Sequence, residues 1–171
     1  MSEYLIRPEA PADRGLVDEI QTAAFGRADE AELVRRLRDA PIRKLSLVAE
    51  RDETVVGHVF FSPIEIEGAE AAPPSAGLAP LAVSPDEQGR GAGSALVRAG
   101  LRECLEVGWQ AVFLLGDPAY YSRFGFELAA PRGLRYENEF FDSAFQSIEL
   151  VPGALSGATG WVRYHEAFAS L

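Results

Sequence analysis

The segment from Leu78 to Phe126 constrains the fold of this 171-residue chain more than any other part of it. An apolar strand predicted at 77–83 leads through a glycine-rich turn into an amphipathic helix predicted at 91–107. The next apolar run, 111–115, is short and continuous, as is typical of a buried parallel strand. Strand, helix and strand in this order form a parallel crossover, so the sequence predicts an α/β domain built around that pair of strands.

The turn reads Gln88-Gly89-Arg90-Gly91-Ala92-Gly93 and opens directly into the helix. The first amides of a helix lack partners within it and carry partial positive charge, so this start suits a phosphate group. A P-loop is excluded because no lysine follows the last glycine. A dinucleotide fingerprint fits poorly, because Ser94 stands where its third glycine or alanine belongs and a polar loop precedes the turn. The pattern Gln/Arg-x-x-Gly-x-Gly/Ala fits completely at Gln88, Gly91 and Gly93.

The remaining sequence predicts further strands and two helices around this unit. Strands are predicted at 4–7, 45–50, 54–62, 144–150 and 161–164, and helices at 12–25 and 28–39. The strands 45–50 and 54–62 are separated by a polar linker of hairpin length, which indicates antiparallel neighbours. No repeat or domain linker interrupts the chain, and we expect a single domain over residues 1–171.

Composition limits the partners of the chain. Its formal net charge of −10 argues against nucleic acid and anionic membranes, because both demand a face rich in lysine and arginine. The single cysteine, Cys104, excludes an internal disulfide and fits a reducing compartment. No apolar stretch is long enough to span a bilayer. We therefore expect a soluble cytoplasmic protein without a bound metal, and a homodimer is compatible with these observations.

A second motif follows the run 111–115. It reads Gly116-Asp117-Pro118-Ala119-Tyr120-Tyr121-Ser122-Arg123-Phe124-Gly125-Phe126, with Tyr121-x-x-x-Gly125-Phe126 as its core. With both motifs the chain resembles the GCN5-related N-acetyltransferase (GNAT) superfamily, and more narrowly its YhbS-like bacterial branch, which Pro152-Gly153-Ala154-Leu155 also resembles. The resemblance implies an acyl-CoA N-acyltransferase fold of α+β type, with flanking helices and a mixed, mostly antiparallel sheet that has a splayed parallel pair at its centre.

The resemblance also implies a binding site for acetyl-coenzyme A. The turn would bind the pyrophosphate through residues Gln88, Gly89, Arg90, Gly91, Ala92, Gly93 and Ser94. The preceding strand would pair with the pantetheine arm through Leu81, Ala82 and Val83, and a backbone amide near Leu81 would stabilise an oxyanion. Tyr120, Arg123 and Phe124 complete the expected cofactor-binding set. Arg90 and Arg98 are either further contacts to the phosphates or solvated surface arginines.

Acetyl transfer to an amine requires a neutral amine, stabilisation of the oxyanion and a proton for the departing thiolate. The resemblance places the proton donor at Tyr121, with Tyr120 as a weaker substitute. A phenol with an ordinary pKa of about 10 is a credible donor to a thiolate. Tyr121 is therefore the predicted catalytic residue.

The sequence does not identify the general base. His58 has a suitable pKa, although a lone histidine on a buried strand is more often a hydrogen-bonded core residue. Glu65, Asp117 and Glu137 have no support from spacing, and Asp117 is better explained as the cap of a helix that starts at Pro118. Deprotonation through water is equally compatible with the sequence.

We expect direct transfer from acetyl-coenzyme A to a primary amine in a ternary complex. Cys104 lies on the apolar stripe of the main helix and is poorly placed for a covalent route. The acidic composition favours a cationic acceptor, and Phe140, Phe141 and Trp161 are candidates for its pocket or for the core. Two alternatives remain: a non-catalytic coenzyme A-binding module, and an acyltransferase that uses a longer acyl donor.

Overall fold

The computed structural model describes residues 3–69 and 71–171. The α-helices are α1 (Arg14–Phe25), α2 (Asp29–Asp39), α3 (Ala92–Glu106) and the short α4 (Pro118–Tyr121). The strands are β1 (Leu5–Pro8), β2 (Leu45–Arg51), β3 (Thr54–Glu67), β4 (Ser75–Val83), β5 (Ala111–Leu115), β6 (Glu127–Leu128), β7 (Leu134–Arg135), β8 (Phe145–Glu149) and β9 (Gly160–Arg163). The predicted crossover is therefore confirmed as β4, α3 and β5.

These strands form a mixed sheet with the order β1-β2-β3-β4-β5-β8-β6, and β9 pairs with the distal part of β3. Most neighbours are antiparallel, while β4 with β5 and β7 with β9 are parallel. The expected mostly antiparallel sheet with a central parallel pair is confirmed. Among the described residues, no helix has both the length and the apolar composition needed to cross a membrane.

The parallel pair is short and leaves an opening in the sheet. Hydrogen-bonded register between β4 and β5 covers only Ser75–Gly77 and Ala111–Phe113. Both strands then continue, β4 to Val83 along β3 and β5 to Leu115 along β8. The side of β4 that faces β5 therefore has no strand partner beyond Gly77, and this splayed region carries the site described below.

Helices cover both faces of the sheet. The apolar face of α3 packs against β3. Phe61 of β3 comes so close to α3 that position 100 must be glycine, since a Cβ there would overlap the phenyl ring. Phe60 points to the opposite face and packs with α1 and α2 through Val17 and Leu33. This alternation follows from the two-residue period of a strand and explains why β3 is apolar on both faces.

Candidate active site

Two glycines shape the turn before α3. Gly89 has φ +77° and Gly91, the N-cap of α3, has φ +100°, conformations that L side chains rarely adopt. No described side chain caps this helix start. The Ala95 amide donates to the Gly91 carbonyl at 3.0 Å, so the helix amides before Ala95 have no partner within α3. The turn therefore presents backbone donors and the positive end of the helix dipole.

A cavity of about 400 Å³, here called the turn cavity, lies over this helix start. Most of the residues predicted to bind the cofactor line it, namely Leu81, Ala82, Val83, Gln88, Gly89, Gly91, Ala92, Gly93, Ser94, Tyr120 and Arg123. The structure thus brings the end of β4, the glycine turn and the Tyr120 segment to one place. Arg90 and Phe124, also predicted to bind the cofactor, do not line this cavity.

Tyr120 and Arg123 form one wall of the turn cavity. The Tyr120 hydroxyl lies 3.0 Å from Ser94 Oγ, and a Cβ on Gly93 would lie 3.3 Å from that hydroxyl. The Arg123 guanidinium lies 4.3 Å from the centre of the Tyr120 ring, and its Nε donates to the Tyr120 carbonyl at 2.8 Å. Among the described lining residues, Arg123 supplies the cation; Arg98 lies 4.9 Å above the Phe124 ring instead.

A second cavity of about 390 Å³, here called the aromatic cavity, adjoins the first and shares Leu81 and Phe25 with it. Its aromatic lining residues are Phe25, Tyr121, Tyr136, Tyr164 and Phe168. Its aliphatic walls come from α2 and the splayed ends of β4 and β5, including Leu33, Leu78 and Leu115. Tyr121 therefore lies on the aromatic cavity, whereas the glycine turn lies on the turn cavity.

Tyr121 is held by aromatic packing. Its ring meets that of Tyr120 edge to face at a centroid distance of 4.9 Å and that of Phe126 at 5.9 Å. A Cβ on Gly116 would lie 2.9 Å from Tyr121 Cδ2, so glycine makes room for the ring. Burial raises the pKa of Tyr121 to about 12, and the neighbouring Tyr120 adds to the effect. The phenol consequently keeps its proton throughout the neutral range and is a hydrogen-bond donor.

The candidate bases from the sequence lie away from both cavities. His58 is fully buried in β3, where Nδ1 lies 2.9 Å from Gln21 Nε2 and Nε2 lies 2.7 Å from Ser46 Oγ. Burial lowers the pKa of His58 to about 4, so the imidazole is neutral and structural. Asp117 accepts from the Ala119 amide at 2.9 Å and caps α4, as expected. Glu65 is exposed on β3, and like Glu137 it lines neither cavity.

Glu30 is the acidic lining residue of the aromatic cavity, and no sequence pattern predicted it. It is 5% exposed, and the Arg27 guanidinium donates to it through Nε at 3.0 Å and Nη2 at 2.6 Å. The sequence also did not predict that Tyr136, Tyr164 and Phe168 line a cavity. They come from distant segments, and no local spacing predicts that they meet.

Phe140, Phe141 and Trp161, the candidates for an acceptor pocket or for the core, do not line the aromatic cavity. Phe140 is 82% exposed, so it belongs neither to this cavity nor to the core. Phe141 packs edge to face on Phe140, and the Trp161 ring lies under the Arg135 guanidinium at 5.3 Å. Cys104 lies on the buried face of α3, and this burial raises the pKa of its thiol. The expectation of a structural thiol is thus in agreement with its position.

Known proteins resemble this chain in sequence and in structure. The profile of a family described as "Acetyltransferase (GNAT) domain" matches residues 6–129. The uncharacterized N-acetyltransferase YhbS of Escherichia coli K12 is 46% identical over 165 residues, which cover 96% of this chain and 98% of that protein.

Two crystal structures extend this similarity. YhbS from Escherichia coli in complex with coenzyme A superposes with a TM-score of 0.90 at 45% identity, over 97% of this chain and 92% of that one. A GNAT family acetyltransferase from Brucella melitensis in complex with acetyl-coenzyme A superposes with a TM-score of 0.79 at 38% identity, over 96% of this chain and 97% of that one. The fold is that of an acetyltransferase. The chain belongs to the GCN5-related N-acetyltransferase family, and its resemblance to the YhbS-like branch is confirmed.

Proposed function

We propose that this acetyltransferase moves an acetyl group from acetyl-coenzyme A directly to a primary amine in a ternary complex. The observation that carries the proposal is the meeting of two cavities at Leu81 and Phe25, one beside the glycine turn and one beside Tyr121. Two substrates can therefore be bound side by side without a covalent enzyme intermediate. The relatives crystallised with coenzyme A or acetyl-coenzyme A support the assignment of the turn cavity.

The turn cavity fits the phosphates of the cosubstrate. The space where Cβ atoms of Gly89 and Gly91 would lie has no heavy atom within 4 Å, so a ligand can approach the backbone donors closely. Arg123 adds a positive charge to the lining of the cavity. From there the splayed part of β4, Leu81 to Val83, offers main-chain groups to an extended arm. When bound, acetyl-coenzyme A supplies an acetyl group activated as a thioester.

The proposed acetyl transfer uses the backbone near Leu81, which lines both cavities, and Tyr121 of the aromatic cavity. The amine nitrogen attacks the thioester carbonyl carbon; the C–N bond forms and the C–S bond breaks. A backbone amide near Leu81 stabilises the negative charge that develops on the carbonyl oxygen. Tyr121 donates its proton to the departing thiolate and regains one from the newly acylated nitrogen through water. The products are the N-acetylated amine and coenzyme A with a free thiol.

Replacement of Tyr121 by phenylalanine tests this role. We expect Tyr121→Phe to lower kcat by a factor of about 10² or more, because the thiolate loses its proton donor, while the affinity for coenzyme A stays unchanged. Release of the thiol and calorimetric binding of coenzyme A measure the two effects. Tyr4→Phe is the control for loss of a buried phenol hydroxyl: Tyr4 lines neither cavity, although its hydroxyl contacts Glu87 of the turn cavity at 3.5 Å. Full thiol release from Tyr121→Phe would remove the assignment of Tyr121 as general acid.

A further inference from the structure

The aromatic cavity has a composition that restricts what can occupy it. Tyr136, Tyr164 and Phe168 form a continuous aromatic wall, with centroid distances of 5.3 Å between the first two rings and 5.0 Å between the last two. The Tyr164 ring packs directly on Gly77, where a Cβ would approach its Cζ to 3.0 Å, so the backbone of β4 fixes the position of this wall. The wall is rigid, broad and apolar, and it suits a flat or branched hydrocarbon group.

The phenols of this cavity contribute no charge. Burial raises the pKa of Tyr121 and of Tyr136 to about 12, and it raises that of Tyr164 as well. All three side chains are therefore neutral and present ring faces and hydroxyl groups to an occupant. Ring faces attract an ammonium group through their quadrupole, but three hydroxyl groups are too few to satisfy the many polar groups of an aminoglycoside.

Glu30 sets how much positive charge the cavity can accommodate. It is the carboxylic acid among the described side chains that line the cavity, and Arg27 already forms two hydrogen bonds with it. This pair is electrically neutral, so only the remaining lone pairs of one carboxylate are available to one amino group. A further ammonium group buried against the aromatic wall would lose part of its hydration, and the nearby Glu137 carboxylate already hydrogen-bonds Tyr136 and does not line the cavity.

We propose that the acceptor is a small monoamine whose body is an aromatic ring or a branched hydrocarbon. Its amino group lies toward Leu81 and Tyr121, and its body packs on the wall of Tyr136, Tyr164 and Phe168. The volume of about 390 Å³ falls within the range of small-molecule sites. This inference rests on the proposed acetyl transfer and specifies its substrate class. It narrows the expectation from net charge alone, which was any cationic acceptor.

A panel of amines tests the proposal with the full chain and acetyl-coenzyme A. We expect kcat/KM, followed by thiol release, to be about tenfold or more higher for 2-phenylethylamine and isoamylamine than for putrescine or kanamycin, because only the first two bury apolar surface on the aromatic wall. N-phenethylacetamide, the product of the first amine, should bind measurably in calorimetry. Lower kcat/KM for the two monoamines than for putrescine or kanamycin would overturn the inference while leaving acetyl transfer intact.

Variants of Phe168 test whether the expected preference for apolar monoamines arises in the aromatic cavity. We expect Phe168→Ala to lower kcat/KM for 2-phenylethylamine about tenfold and to lower the value for putrescine much less, with Phe168→Leu in between. Phe140→Ala is the matched control, because Phe140 is an exposed phenylalanine outside both cavities. Unchanged coenzyme A affinity shows that each variant is folded. An equal loss for both amines would contradict the inference, and no turnover with any amine would overturn it together with the proposed function.

Discussion

Gly91 and Gly93 stand two residues apart in one turn for different physical reasons. Gly91 adopts φ +100°, whereas Gly93 lies inside α3 and leaves room for the hydroxyl of Tyr120. The sequence pattern predicted that both positions matter for binding an anion at the helix start. The reason for Gly93 could not be predicted, because it depends on the packing of a side chain 27 positions away along the chain.

We expect Gly91→Ala to weaken coenzyme A binding about tenfold, because strain of about 1–3 kcal/mol at a positive φ displaces the backbone donors of the turn. Gly157→Ala is the control. Gly157 has φ +79° and open space around it, but lies in neither cavity. Both variants should lose stability in denaturant titrations, and only Gly91→Ala should lose affinity in calorimetry. Equal coenzyme A affinities for the two variants would argue that the turn does not bind the phosphates.

His58 shows how burial converts a titratable residue into part of the core. Its folded-state pKa of about 4 lies below the ordinary value of about 6.5. As the pH falls from 6.5 to 4, the unfolded chain binds a proton that the folded protein does not bind. The histidine therefore contributes stability above pH 6.5, and this contribution is lost as the pH falls toward 4.

We expect this loss to amount to about 3 kcal/mol of unfolding free energy between pH 6.5 and 4. Denaturant titrations at several pH values measure it, and His58→Gln should flatten the dependence in that window. His165→Gln is the control, because His165 accepts a hydrogen bond from the Ala167 amide at the surface end of the chain and is not fully buried. Parallel pH profiles for the wild type and His58→Gln would contradict this account.

At the scale of elements, long periodic segments were predictable and short ones were not. The helix expected at 91–107 is α3, Ala92–Glu106, and the run 111–115 is β5 without change. The strand expected at 54–62 continues to Glu67, since its distal part gains β9 as a partner. β6 and β7 have two residues each, too few to show an alternating pattern, so they were not predicted.

The contact between α3 and β3 offers a test at this scale. An alanine favours a helix interior by about 1 kcal/mol over glycine, but a methyl group at position 100 would overlap the Phe61 ring. We expect Gly100→Ala to lower the unfolding free energy by about 1–3 kcal/mol through overpacking. Gly15→Ala, in α1 with no neighbour within 4 Å, should be neutral or stabilising in the same thermal and chemical melts. A stabilised Gly100→Ala would contradict the close packing.

At the scale of the whole molecule, the two cavities differ in how far the sequence could predict them. The turn cavity comes mainly from one continuous segment with recognisable motifs, so most of its lining was predicted. The aromatic cavity joins Phe25, Glu30, Tyr121, Tyr136 and Phe168, which no local spacing relates. In the sequence, net charge indicated only that the acceptor is cationic. It describes how charged molecules approach the protein, whereas the cavity wall determines which of them fits.

Net charge nevertheless has a measurable consequence. A protein of charge −10 repels an anionic cosubstrate over distances of about 10 Å at 0.1 M salt, and salt screens this repulsion. We expect kcat/KM for acetyl-coenzyme A to rise about two- to fivefold between 10 and 200 mM sodium chloride. Steady-state kinetics at saturating acceptor measures this, with sucrose as a control for viscosity and hydration. A decrease with salt would show that the local field of Arg123 outweighs the overall charge.

The wall that Leu81 and Phe25 provide to both cavities has a consequence for inhibition. A compound that joins the sulfur of coenzyme A to a phenylethylamine nitrogen through a short acyl bridge would pass Leu81 and occupy both cavities at once. Once one half is bound, the other is presented at a high effective concentration. The adduct should therefore bind much more tightly than either half alone, and its affinity should depend steeply on the length of the bridge.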